Sequence, residues 1–377
     1  MLEITSKAKL FALSQITPKA KEIDEKQEFP SQIFKELANE GFLKLMVPKE
    51  FGGLGGNALD HSLVCLEFAK ASATTALCYM MHNVALNCLR TYASKELQEK
   101  IFSDVVNNGK FCALAYSEIG SGTHFYAPQM SVEVKDNKAI FNGIKSMVTS
   151  ANHASYYLVL TPSQNGVAGA TDNWVLPLGT PGLGFNENSW NGLGMRGNVS
   201  CQMKLENASL DTTYRIGQIG SGAEQVFSAV APMFLLGLGA VYSGLANNIA
   251  DEAIKHAKDR KYPDGKSLAH IETIQNHLSE IYTKAQAAIA LVKEAAYELI
   301  EGSQDAGLKV FAARVNASKI VVEVASTAMR VGGGKAYNKS GELERLLRDA
   351  YAGQVMAPSV DVLSVWLGKS LCGIELF

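Results

Sequence analysis

Three hydroxyl residues, Ser117, Ser121 and Thr123, alternate with small positions in Leu114-Ala115-Tyr116-Ser117-Glu118-Ile119-Gly120-Ser121-Gly122-Thr123. Glycines this closely spaced let backbone N–H groups approach an anion. Read alone, the run serves equally as a plain turn between domains. Four further segments follow in order: Phe141 to Ala151; Gly192-Leu193-Gly194-Met195-Arg196-Gly197; Arg260-Lys261-Tyr262; and Arg330 to Tyr337, trailed by Glu344 to Ala350. Better-known signatures fail. Gly265-Lys266-Ser267 and Gly368-Lys369-Ser370 end like phosphate loops, but the required earlier glycine is Arg260 or Leu363. His270 and His277 lack a third ligand at metal spacing, so no metal is expected. There is no G-x-S-x-G elbow, and Gly237-Leu238-Gly239 has no strand before it to make a dinucleotide fingerprint.

The elements that must hold these segments fall into three stretches. Residues 1–111 read helical, with Phe34, Leu37, Ala38 and Phe42 at helical spacing and an apolar run from Leu59 to Tyr92. In residues 112–220, short runs such as Ser131–Lys135, Ser155–Leu160 and Trp174–Leu176 are broken by turn residues, which predicts a β domain. Residues 221–377 return to helical periodicity over Ile249–Arg260, His270–Glu301 and Leu308–Arg330. No charge occurs from Gln225 to Ala250. That length could span a bilayer, but Asn247 and Asn248 and the lack of basic flanks favour a buried core helix.

Lys+Arg number 35 against 37 Asp+Glu, so the net charge is −2, which argues against a nucleic-acid binder. Hydrophobic residues make up 47% and charged ones 19%, enough to build large cores and to exclude disorder as the main state. The six cysteines form no C-x-x-C pair, consistent with free thiols in a reducing cytoplasm. No secretory signal is visible at the N-terminus, and a cytoplasmic protein is expected.

Together, the ordered segments resemble the acyl-CoA dehydrogenase family of flavoproteins from about Pro48 to about Lys369. The family's T-E-P-G-x-G-S-D stands as Ser117 to His124, its I-N-G-x-K-x-W-I-T-N as Phe141 to Ser150, and its R-D-A as Arg348 to Ala350. The resemblance implies an α+β fold: an N-terminal helical domain, a middle β-barrel domain and a C-terminal four-helix bundle. It implies FAD as cofactor and a homodimer or homotetramer in which a neighbouring subunit completes the FAD site. Tyr116, Ser117, Gly122, Thr123, Met147 and Thr149 would serve the flavin end. Arg260, Arg330, Gly333 and Gly334 would serve the adenosine end, and Ser359 and Asp361 would make further FAD contacts. Ile119, His124, Arg330 and Ala336 depart from the family's Pro, Asp, Gln and Gly.

The largest departure is chemical. The family's glutamate base falls on Ala357 or, in a minority, on Phe234; the arginine beside the latter place is Leu235. Neither Ala357 nor Phe234 can accept a proton, so both are expected to line the substrate site and the catalytic residue stays unassigned. Oxidation of a β-hydroxyl needs no α-base. The tail from Gln354 to Lys369 is similar to a branch that acts on acyl carrier protein thioesters in hydroxymalonyl, methoxymalonyl and aminomalonyl extender-unit biosynthesis. The expected substrate is therefore a glyceryl or seryl group on an acyl carrier protein, with an external electron acceptor. If the segment after Ala357 is helical, Asp361 lies one turn on and could relay the hydroxyl proton. Alternatives are a CoA-ester dehydrogenase with a relocated base, a flavin-dependent monooxygenase on the same fold, and a non-catalytic flavoprotein.

Overall fold

The computed structural model describes residues 2–164, 166–339 and 341–376. Among them the first helical region comprises α1 (Leu2–Phe11), α2 (Ala20–Lys26), α3 (Ser31–Asn39), α4 (Ala58–Ala69), α5 (Ala73–Tyr92) and α6 (Lys95–Asn108). Local chemistry sets the boundaries. Asn57 and Asp60 form a reciprocal capping box at the start of α4. The Ser72 and Ser94 hydroxyls cap α5 and α6, and Gly109 closes α6 in the left-handed region at φ 63°.

The β domain has eight strands among the described residues: β1 (Cys112–Ala115), β2 (Ser131–Lys135), β3 (Lys138–Val148), β4 (Tyr156–Pro162), β5 (Thr171–Pro177), β6 (Leu183–Asn186), β7 (Cys201–Asp211) and β8 (Arg215–Ile216). They form two four-stranded sheets, ordered β1-β4-β5-β8 and β2-β3-β7-β6. Asp136 and Asn137 both take positive φ in the two-residue turn that pairs Lys135 with Lys138. β3 runs on to Val148, because bulges at Phe141/Gly143 and Lys145/Val148 let it keep pairing with β7.

The last region holds α7 (Gly222–Gln225), α8 (Ala231–Asp259), α9 (Glu272–Glu301), α10 (Ala306–Ala336), α11 (Glu342–Val355) and α12 (Val360–Leu371). The bundle packs α8, α9 and α10 against one another, with α11 on α8 and α10. A π-helical turn, Val226–Val230, leads into α8. Residues 222–259 are long and apolar enough to cross a membrane, yet 83% of the most apolar window is buried within the protein. It is the shared core helix, packed on α4 and α5 as well as on its own bundle. Gly244 permits the approach to α4: a Cβ there would lie 2.5 Å from the Leu66 carbonyl oxygen. α10 passes through the glycine triplet and breaks at Gly333, with φ 55° and ψ −146°.

One side-chain pair joins all three regions. Arg348 on α11 binds Asp24 of α2 at 2.6 and 3.0 Å and donates to the Leu193 carbonyl of the β domain at 3.1 Å. Its neighbour Asp349 accepts the Met195 N–H at 2.5 Å. Gly194 lies between these contacts, where a Cβ would sit 2.2 Å from the Arg348 carbonyl oxygen. Burial pushes the Asp349 carboxyl from its ordinary 3.8 up to about 6, against the pull of Arg345.

A carboxyl raised on folding stabilises the fold in its protonated form. Its contribution is full below about pH 3.8 and is lost as pH rises through about 6. The loss is about 3 kcal/mol at most. Asp349→Asn keeps an acceptor for Met195 and does not ionise. Thermal unfolding should show this variant more stable than wild type at pH 8 and level with it near pH 4; equal destabilisation at both pH values would contradict the assignment.

Candidate active site

The hydroxyl run after β1 is held in place by a buried ion pair. Lys145 on β3 is fully buried, and its Nζ donates to Glu118 Oε1 at 2.6 Å, the Leu160 carbonyl at 2.6 Å and the Tyr116 carbonyl at 3.3 Å. All three ammonium protons are thereby used. Glu118 Oε2 in turn accepts the Gln129 N–H at 2.8 Å, closing the loop on itself. Burial pulls the Lys145 ammonium down to about 8, while Glu118 pulls it up. The carboxylate and two carbonyls around it favour the charged form. Ser146 N–H to the Ser117 carbonyl, 2.8 Å, adds a main-chain tie.

The bulge in β3 turns Met147 outward at φ 51° and leaves it 64% exposed, an apolar side chain facing open space. Thr149 follows, its hydroxyl 3.2 Å from that of Ser200. Gly122, at φ 54°, has open space where a Cβ would point, and the buried Thr123 hydroxyl has no partner. An exposed apolar side chain, an open glycine turn and an orphaned buried hydroxyl on one loop-and-bulge surface fit the ring and phosphate of a flavin nucleotide.

Beside this surface lies a small cleft of about 60 Å³. Tyr116, Ser117 and Met147 meet Phe234 of α8 and Ala357 there, together with Met81, Leu114, Phe125 and Val230. The last four were not anticipated from sequence. Phe125 lies just past the recognised motif, and Met81 and Val230 sit in apolar runs where nothing marks one residue above its neighbours. Among the described residues no carboxylate, histidine or lysine lines the cleft. The Tyr116 hydroxyl faces inward and accepts from Asn173 Nδ2 at 2.9 Å. Phe234 packs towards Phe125, with ring centroids 6.4 Å apart.

The other sequence-selected residues lie elsewhere on the protomer. Arg260, just past α8, is exposed with its guanidinium over Tyr262. Arg330, also exposed, meets the His277 ring at 2.8 Å. Gly333 and Gly334 have open space where side chains would be. None of the four lines the cleft. Ser359 caps α12. Asp361 stands exposed in the first turn of that helix, outside the cleft. The helical spacing expected from Ala357 to Asp361 is absent: α11 stops at Val355 and α12 begins at Val360. Pro358 disfavours helical geometry at Ala357, so the one-turn spacing that would bring Asp361 beside Ala357 does not form.

Models of the acyl-CoA dehydrogenase N-terminal, middle and C-terminal domains match residues 2–108, 113–208 and 233–363. The chain is 28% identical to acryloyl-CoA reductase (NADH) of Anaerotignum propionicum, over 97% of this chain and 92% of that protein. The fold superimposes on butyryl-CoA dehydrogenase from Megasphaera elsdenii with a TM-score of 0.92, at 22% identity, covering 98% and 97% of the two chains. It also superimposes on FkbI, described as serving biosynthesis of a methoxymalonyl extender unit, with a TM-score of 0.87 at 18% identity, covering 97% and 99%.

Lys145→Met should leave Glu118 buried without its cation and cost about 3–5 kcal/mol. Denaturant unfolding would measure the loss, and flavin content after purification should fall with it. Unchanged stability would mean that the pair does not hold the loop.

Proposed function

The chain belongs to the acyl-CoA dehydrogenase family, oxidoreductases that act on acyl thioesters with FAD, and from that we propose that it oxidises the β-hydroxyl of a short acyl group carried by an acyl carrier protein. One observation carries this reading. Ala357 and Phe234, the two places where the family keeps a glutamate, face the same cleft, and no proton acceptor replaces them.

Removing an α C–H without a general base forfeits about 10²–10⁴-fold in rate. A hydroxylated β-carbon avoids that step. The carbon loses a hydride, the hydroxyl oxygen loses a proton to water, and the C–O single bond becomes a carbonyl. Bound FAD supplies the two-electron acceptor. Ser117, Gly122, Thr123, Met147 and Thr149 would hold its flavin end, with Tyr116 behind them. Arg260, Arg330, Gly333 and Gly334 of a second copy would hold its adenosine end, so the working enzyme is a homodimer or homotetramer. Phe125 and Phe234 supply apolar walls, and the small cleft favours an acyl group of few carbons. Tethering supplies orientation, worth about 7–11 kcal/mol at its most favourable. The extender-unit role described for FkbI is in keeping with such a substrate.

The relative described as acryloyl-CoA reductase favours a second reading. Hydride delivered to the β-carbon of an unsaturated thioester, with the α-carbon protonated by solvent, also needs no carboxylate.

Anaerobic mixing separates the two. Glyceryl- or seryl-carrier protein should bleach the flavin, and butyryl- and octanoyl-CoA should not. Bleaching by the CoA esters alone would overturn the proposal. Return of flavin colour when acryloyl-CoA meets the chemically reduced enzyme, with no bleaching by the hydroxylated thioesters, would favour the reductase. Ala357→Glu should leave turnover of the hydroxylated substrate no faster; a large gain would show that α-proton removal had been limiting.

A further inference from the structure

His61 of α4 is fully buried, and its Nε2 has no hydrogen-bond partner among the described residues. Its Nδ1 meets the Cys65 thiol at 3.9 Å, a weak contact. Burial pulls the imidazole from its ordinary 6.5 down to about 4, against a smaller upward pull from the Met233 carbonyl, so the ring is neutral at pH 7. A buried polar atom without a partner costs stability, and such atoms are rare in folded proteins.

The position of this nitrogen relative to the cleft is set by α8. Val230, just before α8, and Phe234 line the cleft. Gly237 is the next position on the same helical stripe, four and then three residues on. A Cβ at Gly237 would stand 2.6 Å from His61 Nε2 and 2.5 Å from Met80 Cγ. Glycine therefore admits the imidazole to the surface of α8, one turn beyond Phe234. On α5, Met81 lines the cleft, while Met80 shares the Gly237 surface with His61. Met147 on the far side of the cleft is exposed, whereas Met80 and His61 are fully buried, so this is the inner end. It closes on a thioether with three rotatable bonds, which adapts to its neighbours, and on one unsatisfied nitrogen.

Chemistry selects the group that fits there. The tautomer makes Nε2 either a donor or an acceptor, and a hydroxyl is both. A hydroxyl satisfies either form, and a methyl satisfies neither. A charged group would enter a fully buried site with no counter-ion. In the oxidation proposed above, the β-carbon must turn its C–H to the flavin and its chain to the thioester, which leaves its hydroxyl for the inner end.

We propose that the acyl cleft extends past Met80 to His61, whose Nε2 hydrogen-bonds a hydroxyl on the β-carbon of the acyl group and so selects hydroxylated over plain short-chain thioesters. His61 is thus a specificity-determining residue and takes no proton. The proposal rests on the cleft being the acyl site, and it supplies the recognition that the apolar walls lack.

The test uses a matched pair of ligands, S-(3-hydroxypropionyl)pantetheine and S-butyrylpantetheine, which differ only by hydroxyl for methyl at one place. The FAD-loaded enzyme is first reduced chemically under anaerobic conditions, so that neither saturated ligand reacts. Calorimetric titration of wild type should show the hydroxylated ligand binding about tenfold tighter, the scale of one hydrogen bond to a buried group. His61→Leu should level the two affinities, with a melting temperature level or higher because an unsatisfied buried nitrogen has gone. Gly237→Ala keeps the imidazole but sets a methyl against Nε2, and it should level them too. With ¹⁵N-labelled histidines, the Nε2 signal that disappears in His61→Leu should move with the hydroxylated ligand and stay still with the butyryl one. Equal affinities in wild type, a preference that survives His61→Leu, or an unmoved Nε2 signal would each overturn the proposal. None of these measurements involves turnover. Failure of hydroxylated thioesters to bleach the flavin would therefore sink the oxidation reading and leave the hydroxyl-binding site standing.

Discussion

A single ammonium group organises the cofactor side of this protein. Lys145 reaches through the β domain to one carboxylate and two carbonyls, and with Glu118 it fixes both ends of the loop that carries Ser117 and Thr123. Desolvating both charges is expensive, and only complete hydrogen bonding offsets it. Here the bonding is complete for the lysine, and the loop is therefore defined from behind. Gly122 faces open space, and the buried Thr123 hydroxyl is unpartnered. Of the loop's own hydroxyls, Ser121 is used internally, donating to the Glu118 carbonyl at 3.2 Å, while that of Thr123 is left for a ligand.

The substrate side follows the opposite logic. Phe234 and Ala357 present hydrocarbon where the family elsewhere keeps a base, and Phe125 lines the same cleft. Hydrocarbon walls cannot take a proton, but they lower the local dielectric and strengthen any dipole aimed into the space. Main-chain donors then count for more than they would in water. Chemistry that needs a carbanion suffers in such a cleft, whereas hydride transfer to or from an oxygen-bearing or conjugated β-carbon does not.

Much of this was legible in the residues. The change from helical to alternating texture and back gave the three-part α+β organisation, and the ordered motifs pointed to the family. Ala357 could be placed by counting from Arg348-Asp349-Ala350, and Phe234 by the resemblance of the earlier helix. Counting failed at Asp361, where Pro358 interrupts the helix and the register no longer carries across. Arg314, fully buried on α10 with its Nη2 donating to the Met356 carbonyl at 3.4 Å, was invisible for another reason. Nothing in a 3.6-residue pattern distinguishes an arginine on the buried face of α10 from one reaching for solvent, since long basic side chains usually take their heads to water. Met81 and Val230 stayed hidden among equally apolar neighbours.

The motif Arg348-Asp349 shows why sequence spacing was informative at the site. The pair does not line the cleft; it clamps α11 to α2 and to the loop around Gly194. From Asp349 to Val355, at about 1.5 Å per residue, α11 runs about 9 Å without interruption before the turn that Arg314 holds. One rigid element thus joins the interdomain clamp to the Ala357 peptide. The cofactor loop belongs to the β domain and the Ala357 turn to the helical bundle, so their separation depends on how those two bodies sit together. The clamp ties α11 to α2 and to the β domain at its middle. Loosening it should change the distance between ring surface and acyl carbon without altering any residue that touches them.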